Sequence, residues 1–247
     1  MRVNGRMMLV AGMALALAGC NKSADDKGSA ASAPLAKIAP PAGSSWTETV
    51  VETANGGYLM GNPNAPVKLV EYASLTCPHC RDFARDATAT LRDKYVASGR
   101  VSWEFRSFAL NPIDVSATLL ATCQGVAPFF TLVEQSYAEQ EKWIKGFQSL
   151  SPEQQKAVSA LPQDQQFAGL AKAGGLDTFY RVRGLPAAKA EACLVNKAAI
   201  DKIVAIREHG IKDDNVEGTP TFLINGTKVD LPPSWGDLEP ELKKALG

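Results

Sequence analysis

Cys77-Pro78-His79-Cys80 is the stretch that leaves this chain the fewest ways to fold. Ahead of it, Val67 to Ala73 is a β-branched and aromatic run introduced by the turn-like Gly61-Asn62-Pro63-Asn64-Ala65-Pro66, which predicts a buried strand. Behind it, Phe83, Ala87, Leu91 and Tyr95 recur at helical spacing until Gly99. The two cysteines therefore lie where a strand passes into a helix. At such a junction Cys77 sits near backbone N–H groups that have no partner inside the helix, while Cys80 lies one turn further in. The helix dipole and these donors favour a thiolate at Cys77, and each pKa unit of depression corresponds to about 1.4 kcal/mol. Pro78 loses no helical hydrogen bond at this position, and His79 can add a donor or a positive charge. A stabilised thiolate stabilises the reduced pair, so a Cys77–Cys80 disulfide would be easily reduced and hence oxidising.

Other readings of the motif are half a zinc site or two inert structural thiols. Zinc needs about four ligands. No second cysteine pair is present, Cys123 and Cys193 stand apart, and the other histidine, His209, has no evident partner. The pair could also hold Cu(I) in a binding or delivery module, although no methionine- or histidine-rich ligand set accompanies it.

The compartment follows from the N-terminus. Arg2 and Arg6 precede an apolar run from Met7 to Ala18, which ends in Leu17-Ala18-Gly19-Cys20 and has the form of a secretion signal over residues 1–19. Small residues leading to a cysteine are similar to a bacterial lipobox, which implies cleavage before Cys20 and its acylation; ordinary secretion with Cys20 incidental is the alternative. Acylation by two or more chains would anchor the protein stably. The expected location is the periplasmic side of a bacterial membrane, inner or outer left open. Asn21 after the acylated cysteine is similar to outer-membrane sorting in some bacteria. Outside the cytoplasm disulfides persist, and an even set of four cysteines follows Cys20. Lys+Arg and Asp+Glu both number 26, and removal of the first nineteen residues leaves 24 against 26, which gives a nucleic-acid role no electrostatic support.

Residues 20–45, rich in Ala, Ser, Pro, Gly and Lys, read as a flexible tether. Globular sequence begins near Trp46. Val101 to Leu110 predicts a second strand stopped by Asn111-Pro112. Asp114 to about His209 reads as a helical block, with Ser151, Pro152 and Gln154 forming a capping box and Gly174-Gly175, Gly184 and Gly210 marking helix ends. Phe129, Phe130, Tyr137 and Trp143 read as core in that block. Strand signal returns over Thr219 to Asn225, turns at Asn225-Gly226 and continues to Asp230, before a last helix from about Gly236 to Leu246. The expected layout is a first part over 46–113, a helical insertion over 114–209 and a second part over 210–247.

Over about Gly57 to Gly247 the sequence resembles the DsbA-like branch of the thioredoxin superfamily. Gly61-Asn62-Pro63-Asn64-Ala65-Pro66-Val67, then Glu71-Tyr72-Ala73-Ser74-Leu75-Thr76 leading into the cysteine motif, is similar to that family's entry strand and active site; Gly218-Thr219-Pro220-Thr221-Phe222 is the distal match. The resemblance implies an α/β, thioredoxin-like fold with a central mixed sheet and an inserted helical domain. It implies that Cys77 and Cys80 are catalytic, tuned by Pro78, His79 and a buried Glu71. Without the resemblance, Glu71 reads as a solvent-facing strand residue. Pro220 is implied to be cis and to face the cysteines, with Thr219 offering its backbone to substrate; unaided, Pro220 reads as an ordinary strand-entry proline. The resemblance further implies a structural disulfide between Cys123 and Cys193, with two buried free thiols as the alternative that the residues alone allow. The activity implied is thiol:disulfide exchange on unfolded or reduced exported proteins, in the oxidising direction, with reductase and isomerase directions as alternatives. A membrane thiol oxidase resembling DsbB would recycle the enzyme, and no metal or organic cofactor is required beyond the redox-active Cys77–Cys80 pair.

Overall fold

The computed structural model describes residues 36–247, so the expected signal segment 1–19 and Cys20 lie outside the described residues. Short runs rich in β-branched and aromatic residues build a six-stranded sheet from β1 (Val50–Glu52), β2 (Tyr58–Gly61), β3 (Val67–Ala73), β4 (Val101–Ser107), β5 (Thr221–Ile224) and β6 (Thr227–Lys228). The strands lie in the order β1-β2-β4-β3-β5-β6. β3 and β4 run parallel, and every other pair is antiparallel, which makes the sheet mixed. Helix α1 (Pro78–Thr90) makes the crossover that a parallel pair requires. One turn of wider π winding, Leu91–Tyr95, then leads to Gly99. At φ 72° Gly99 takes the left-handed conformation that a side chain disfavours.

The register sorts side chains onto two faces. Glu71 lies opposite Phe105 and Phe222, Leu69 opposite Trp103, and Tyr58 opposite Phe105, so these residues share one face. That face packs beneath α1 and α3 (Phe129–Ala138): Phe83 meets Phe222 with centroids 4.5 Å apart, Trp103 meets Phe130 at 4.8 Å, and Tyr58 stacks on Phe129 at 3.9 Å. Val70 and Tyr72 point to the other face and form a smaller core with Phe108, Ile206, Val216 and Leu223 under helix α9 (Lys197–Lys212).

Between β4 and β5 the chain is helical: α2 (Pro112–Thr122), α3, α4 (Gln140–Gln148), α5 (Pro152–Ser159), α6 (Gln166–Ala173), α7 (Leu176–Arg181), α8 (Ala187–Leu194) and α9. Ser151 accepts from the Gln154 N–H while the Gln154 side chain accepts from Ser151, the expected capping box. Phe129, Phe130, Tyr137 and Trp143 are buried, as expected of core. Cys123 and Cys193 form a disulfide joining the end of α2 to α8, with Cα atoms 5.9 Å apart. Helix α10 (Trp235–Leu246) closes the chain, and Trp235 packs near Phe83 and Tyr95.

Four details differ from the sequence reading. The hairpin β1–β2 was not anticipated, because Val50–Glu52 is only three residues long and Tyr58–Gly61 only four. β4 ends at Ser107 instead of Leu110: the Phe108 N–H still reaches the Ala73 carbonyl at 2.8 Å, but the Leu110 N–H is taken by the Asp114 carboxylate at 3.0 Å, and the chain leaves the sheet. Gly210 ends no helix. It lies inside α9, where a Cβ would stand 2.9 Å from Tyr72 Cε1, so glycine there admits the Tyr72 ring. Within the expected tether, the Ile38 N–H donates to Ser98 O at 2.9 Å and Trp46 Nε1 donates to Ile38 O at 2.8 Å, which fastens that segment to the fold.

Candidate active site

Cys77 is the N-cap of α1 and Pro78 its first residue, where the absent N–H leaves no helical bond unmade. The Cys77 carbonyl accepts the Arg81 N–H at 3.2 Å, which commits the segment to helix at once. Across the sheet the Thr219–Pro220 peptide is cis, and the Cys77 thiol donates to Thr219 O at 3.3 Å. Residues 77 and 219, more than a hundred positions apart in sequence, thus meet at one sulfur. Both cysteines are thiols here; Cys77 is 6% exposed and Cys80 fully buried.

The two thiols differ in acidity. A hydrogen bond from Cys80 holds the Cys77 thiol down to about 5 against the opposing effect of burial, with further help from the Thr219 side chain and from the backbone N–H groups of Cys80 and His79. The Thr219 hydroxyl is buried with no hydrogen-bond partner, so it is available to the anion. Burial pushes Cys80 well above the ordinary thiol range, and its bond to Cys77 and the nearby Glu71 push the same way. The side chains of Pro78 and His79 are exposed, so His79 acts on Cys77 through its backbone.

Glu71 is 1% exposed on the β3 face toward the cysteines. Burial raises its carboxyl to about 8, only partly offset by the hydrogen bond that Trp103 Nε1 donates at 2.9 Å. It is not the solvent-facing residue that strand alternation alone allows.

Three polar side chains to which the sequence reading gives no part in the site come from the helical block and hold the segment leading to Cys77. Asp114 on the first turn of α2 accepts the Leu75 N–H at 2.9 Å, Tyr137 of α3 donates its hydroxyl to Ser74 O at 3.1 Å, and Gln140 Nε2 donates to Leu75 O at 2.8 Å and Cys77 O at 2.9 Å. All three are buried. In sequence Tyr137 reads only as a core residue, and nothing local distinguishes Asp114 from an ordinary helix-start acid. Among the described residues no group of three or more His, Cys, Asp or Glu side chains could hold a metal ion, and no helix is long and apolar enough to cross a membrane.

The arrangement suits exchange of thiols and disulfides: a nucleophile poised as an anion, a buried second sulfur, and a backbone facing the first. Comparison with known proteins agrees. The family model described as Thioredoxin matches residues 53–244. A crystal structure of a protein-disulfide isomerase from Novosphingobium aromaticivorans superposes with TM-score 0.74 at 30% identity, covering 79% of this chain and all of that one. Wolbachia pipientis alpha-DsbA1 shares the fold at TM-score 0.62 and 22% identity, over 79% of this chain and 96% of that one. A provisionally named protein-disulfide oxidoreductase of Rickettsia bellii is 23% identical over 173 residues, covering 70% of this chain. This chain spans 58% of that curated relative's length. The chain belongs to the thioredoxin family and has the fold of its DsbA-like branch.

Proposed function

We propose that this protein is a dithiol oxidase that introduces disulfides into exported proteins through Cys77 and Cys80. The observation that carries the reading is the split in acidity, Cys77 held down to about 5 and Cys80 pushed well above its ordinary range. An anion favoured at Cys77 stabilises the reduced pair, and that makes the disulfide a better oxidant.

In the oxidised enzyme a client thiolate attacks Cys77 Sγ. The Cys77–Cys80 bond breaks, and the electron pair leaves on Cys80, which takes up a proton in its buried site. A second client thiolate then attacks the client sulfur of the mixed disulfide. The client disulfide forms, Cys77 departs as a thiolate, and two electrons have passed from client to enzyme. Glu71, neutral near pH 7 because burial raises it to about 8, is the group assigned to proton movement at Cys80. The backbone at Thr219 and Pro220 is assigned to pairing with an extended client segment, which gives affinity without strong sequence selection. A membrane thiol oxidase resembling DsbB would reoxidise the pair, and no metal or organic cofactor enters. The Cys123–Cys193 disulfide is assigned a structural role. Acylation at Cys20 would hold the enzyme on the periplasmic side of a bacterial membrane.

An isomerase direction is the second reading, supported by the name of the 30% identical Novosphingobium protein. The reduction potential against glutathione tests the choice. Enzymes of this kind span about −270 mV to about −120 mV, and the oxidase reading predicts a value toward the latter. A value near the thioredoxin end contradicts it, and faster recovery of a scrambled client than of a reduced one would favour the isomerase.

A further inference from the structure

Asp114 stands apart from the catalytic chemistry above, yet it is a fully buried acid bonded to the segment that ends in the nucleophile. Its two oxygens are used separately: Oδ1 accepts the Leu75 N–H at 2.9 Å and Oδ2 accepts the Leu110 N–H at 3.0 Å. Its position is fixed from behind, since Asn111 caps α2 by accepting the Asp114 N–H at 3.0 Å. One carboxyl group therefore ties the segment after β3 to the segment after β4, two residues before Cys77. Both bonds suit the ionised form, which has acceptor capacity on each oxygen and no proton to place.

A negative charge bonded to the backbone two residues before a thiolate has a second consequence. Like charges disfavour one another, the more so where water is excluded. We propose that Asp114 is a positioning residue for Cys77 that acts in two opposed ways: its carboxylate fixes the backbone presenting the sulfur, and its negative charge restrains the thiolate, keeping the disulfide less oxidising than the helix N-terminus alone would make it. The inference deepens the exchange reading of this site and rests on it. The titratable groups facing Asp114 are consistent with the assignment. Cys77 lies at the start of α1, Tyr137 on α3 and Tyr180 on α7, and each interacts electrostatically with the carboxylate. Burial raises the Asp114 carboxyl to about 6, while the Ser74 hydroxyl and the Leu110 and Leu75 N–H groups pull it back and Cys77 raises it again. As pH rises the Cys77 thiol, at about 5, therefore ionises ahead of the Asp114 carboxyl, at about 6.

The sign of the response separates this role from a merely structural one. Loosening the segment would let the N–H donors drift from Cys77 and make the thiol less acidic. Removing the charge favours the reduced form at any pH where the carboxyl would be ionised. For Asp114→Asn protein, the glutathione equilibrium at about pH 7.5 is expected to move about threefold toward reduced enzyme, and that displacement is expected to vanish toward about pH 5, where the wild-type carboxyl is itself protonated. Asp114→Glu, which keeps the charge, is expected to restore most of the wild-type equilibrium at about pH 7.5. A folded Asp114→Asn variant whose equilibrium at that pH is unchanged or moves toward oxidised enzyme overturns the proposal. Where that variant does not fold, the wild-type protein still decides: carboxyl-carbon NMR is expected to show Asp114 ionising at lower pH in the disulfide form than in the dithiol form, because the coupling is reciprocal. Equal midpoints overturn the proposal. None of these readouts uses client oxidation, so an enzyme that works as an isomerase fails the potential test above and leaves this one standing.

Discussion

Two buried acids flank the cysteine pair, and single residues account for their difference. Asp114 has two backbone N–H donors on its carboxyl, whereas Glu71 has the Trp103 indole. Burial accordingly raises Glu71 further, to about 8, than Asp114, to about 6. The raised value of Glu71 fixes its effect on stability. Its neutral form is the one the fold accepts, so its contribution is complete below the ordinary carboxyl range and is lost as pH rises from about 4.5 through about 8. Glu71→Gln removes that loss while leaving an acceptor for the Trp103 indole. Urea unfolding is expected to show the variant gaining on wild type by on the order of 2 kcal/mol between about pH 5 and about pH 8. A difference constant across that range would place the carboxyl in water. The same substitution is expected to slow the step that requires Cys80 to accept a proton.

At the scale of elements, α9 depends on the absence of a side chain at Gly210. Alanine has the better helix propensity, by about 1 kcal/mol. Yet a Cβ at 210 would stand 2.9 Å from the Tyr72 ring, and Tyr72 carries the hydroxyl that donates to Asp214 at 2.6 Å and accepts from Arg106 at 2.9 Å. Gly210→Ala is therefore expected to destabilise the protein by about 1–3 kcal/mol in denaturant unfolding, and a stabilised variant would show that the ring moves freely. Gly210 also shows what kind of feature the sequence hides. Glycine inside a helical pattern reads as an end because its packing partner is far away along the chain, and the same blindness concealed Asp114, Tyr137 and Gln140, whose bonds to the Ser74–Cys77 segment cross 39 to 65 positions. Features written locally were legible: β3, the strand-to-helix position of the cysteines, the capping box at Ser151 and the turn at Asn225-Gly226. β1 and β2 were too short for alternation to register. The burial of Glu71, the cis peptide at Pro220 and the Cys123–Cys193 pairing were legible only through family resemblance, since alternation and spacing alone point elsewhere or leave the choice open.

At the scale of the whole molecule, a thioredoxin-type sheet places the cysteine helix opposite the Thr219–Pro220 peptide, and the helical block inserted between β4 and β5 reaches back to hold the segment between β3 and that helix. The Cys123–Cys193 disulfide closes a loop of 70 residues within that block. Replacing both cysteines with serine is expected to lower stability by up to about 4 kcal/mol in denaturant unfolding, with the Cys77 titration unchanged. A shifted Cys77 titration would instead tie the bridge to the active site. All of these parts converge on one sulfur atom, and its charge is the quantity on which the account turns. Measured most directly, the rate at which iodoacetamide alkylates Cys77 in reduced enzyme should follow a single ionisation centred near pH 5. A midpoint near that of an unperturbed thiol, about pH 8.5, would contradict the account.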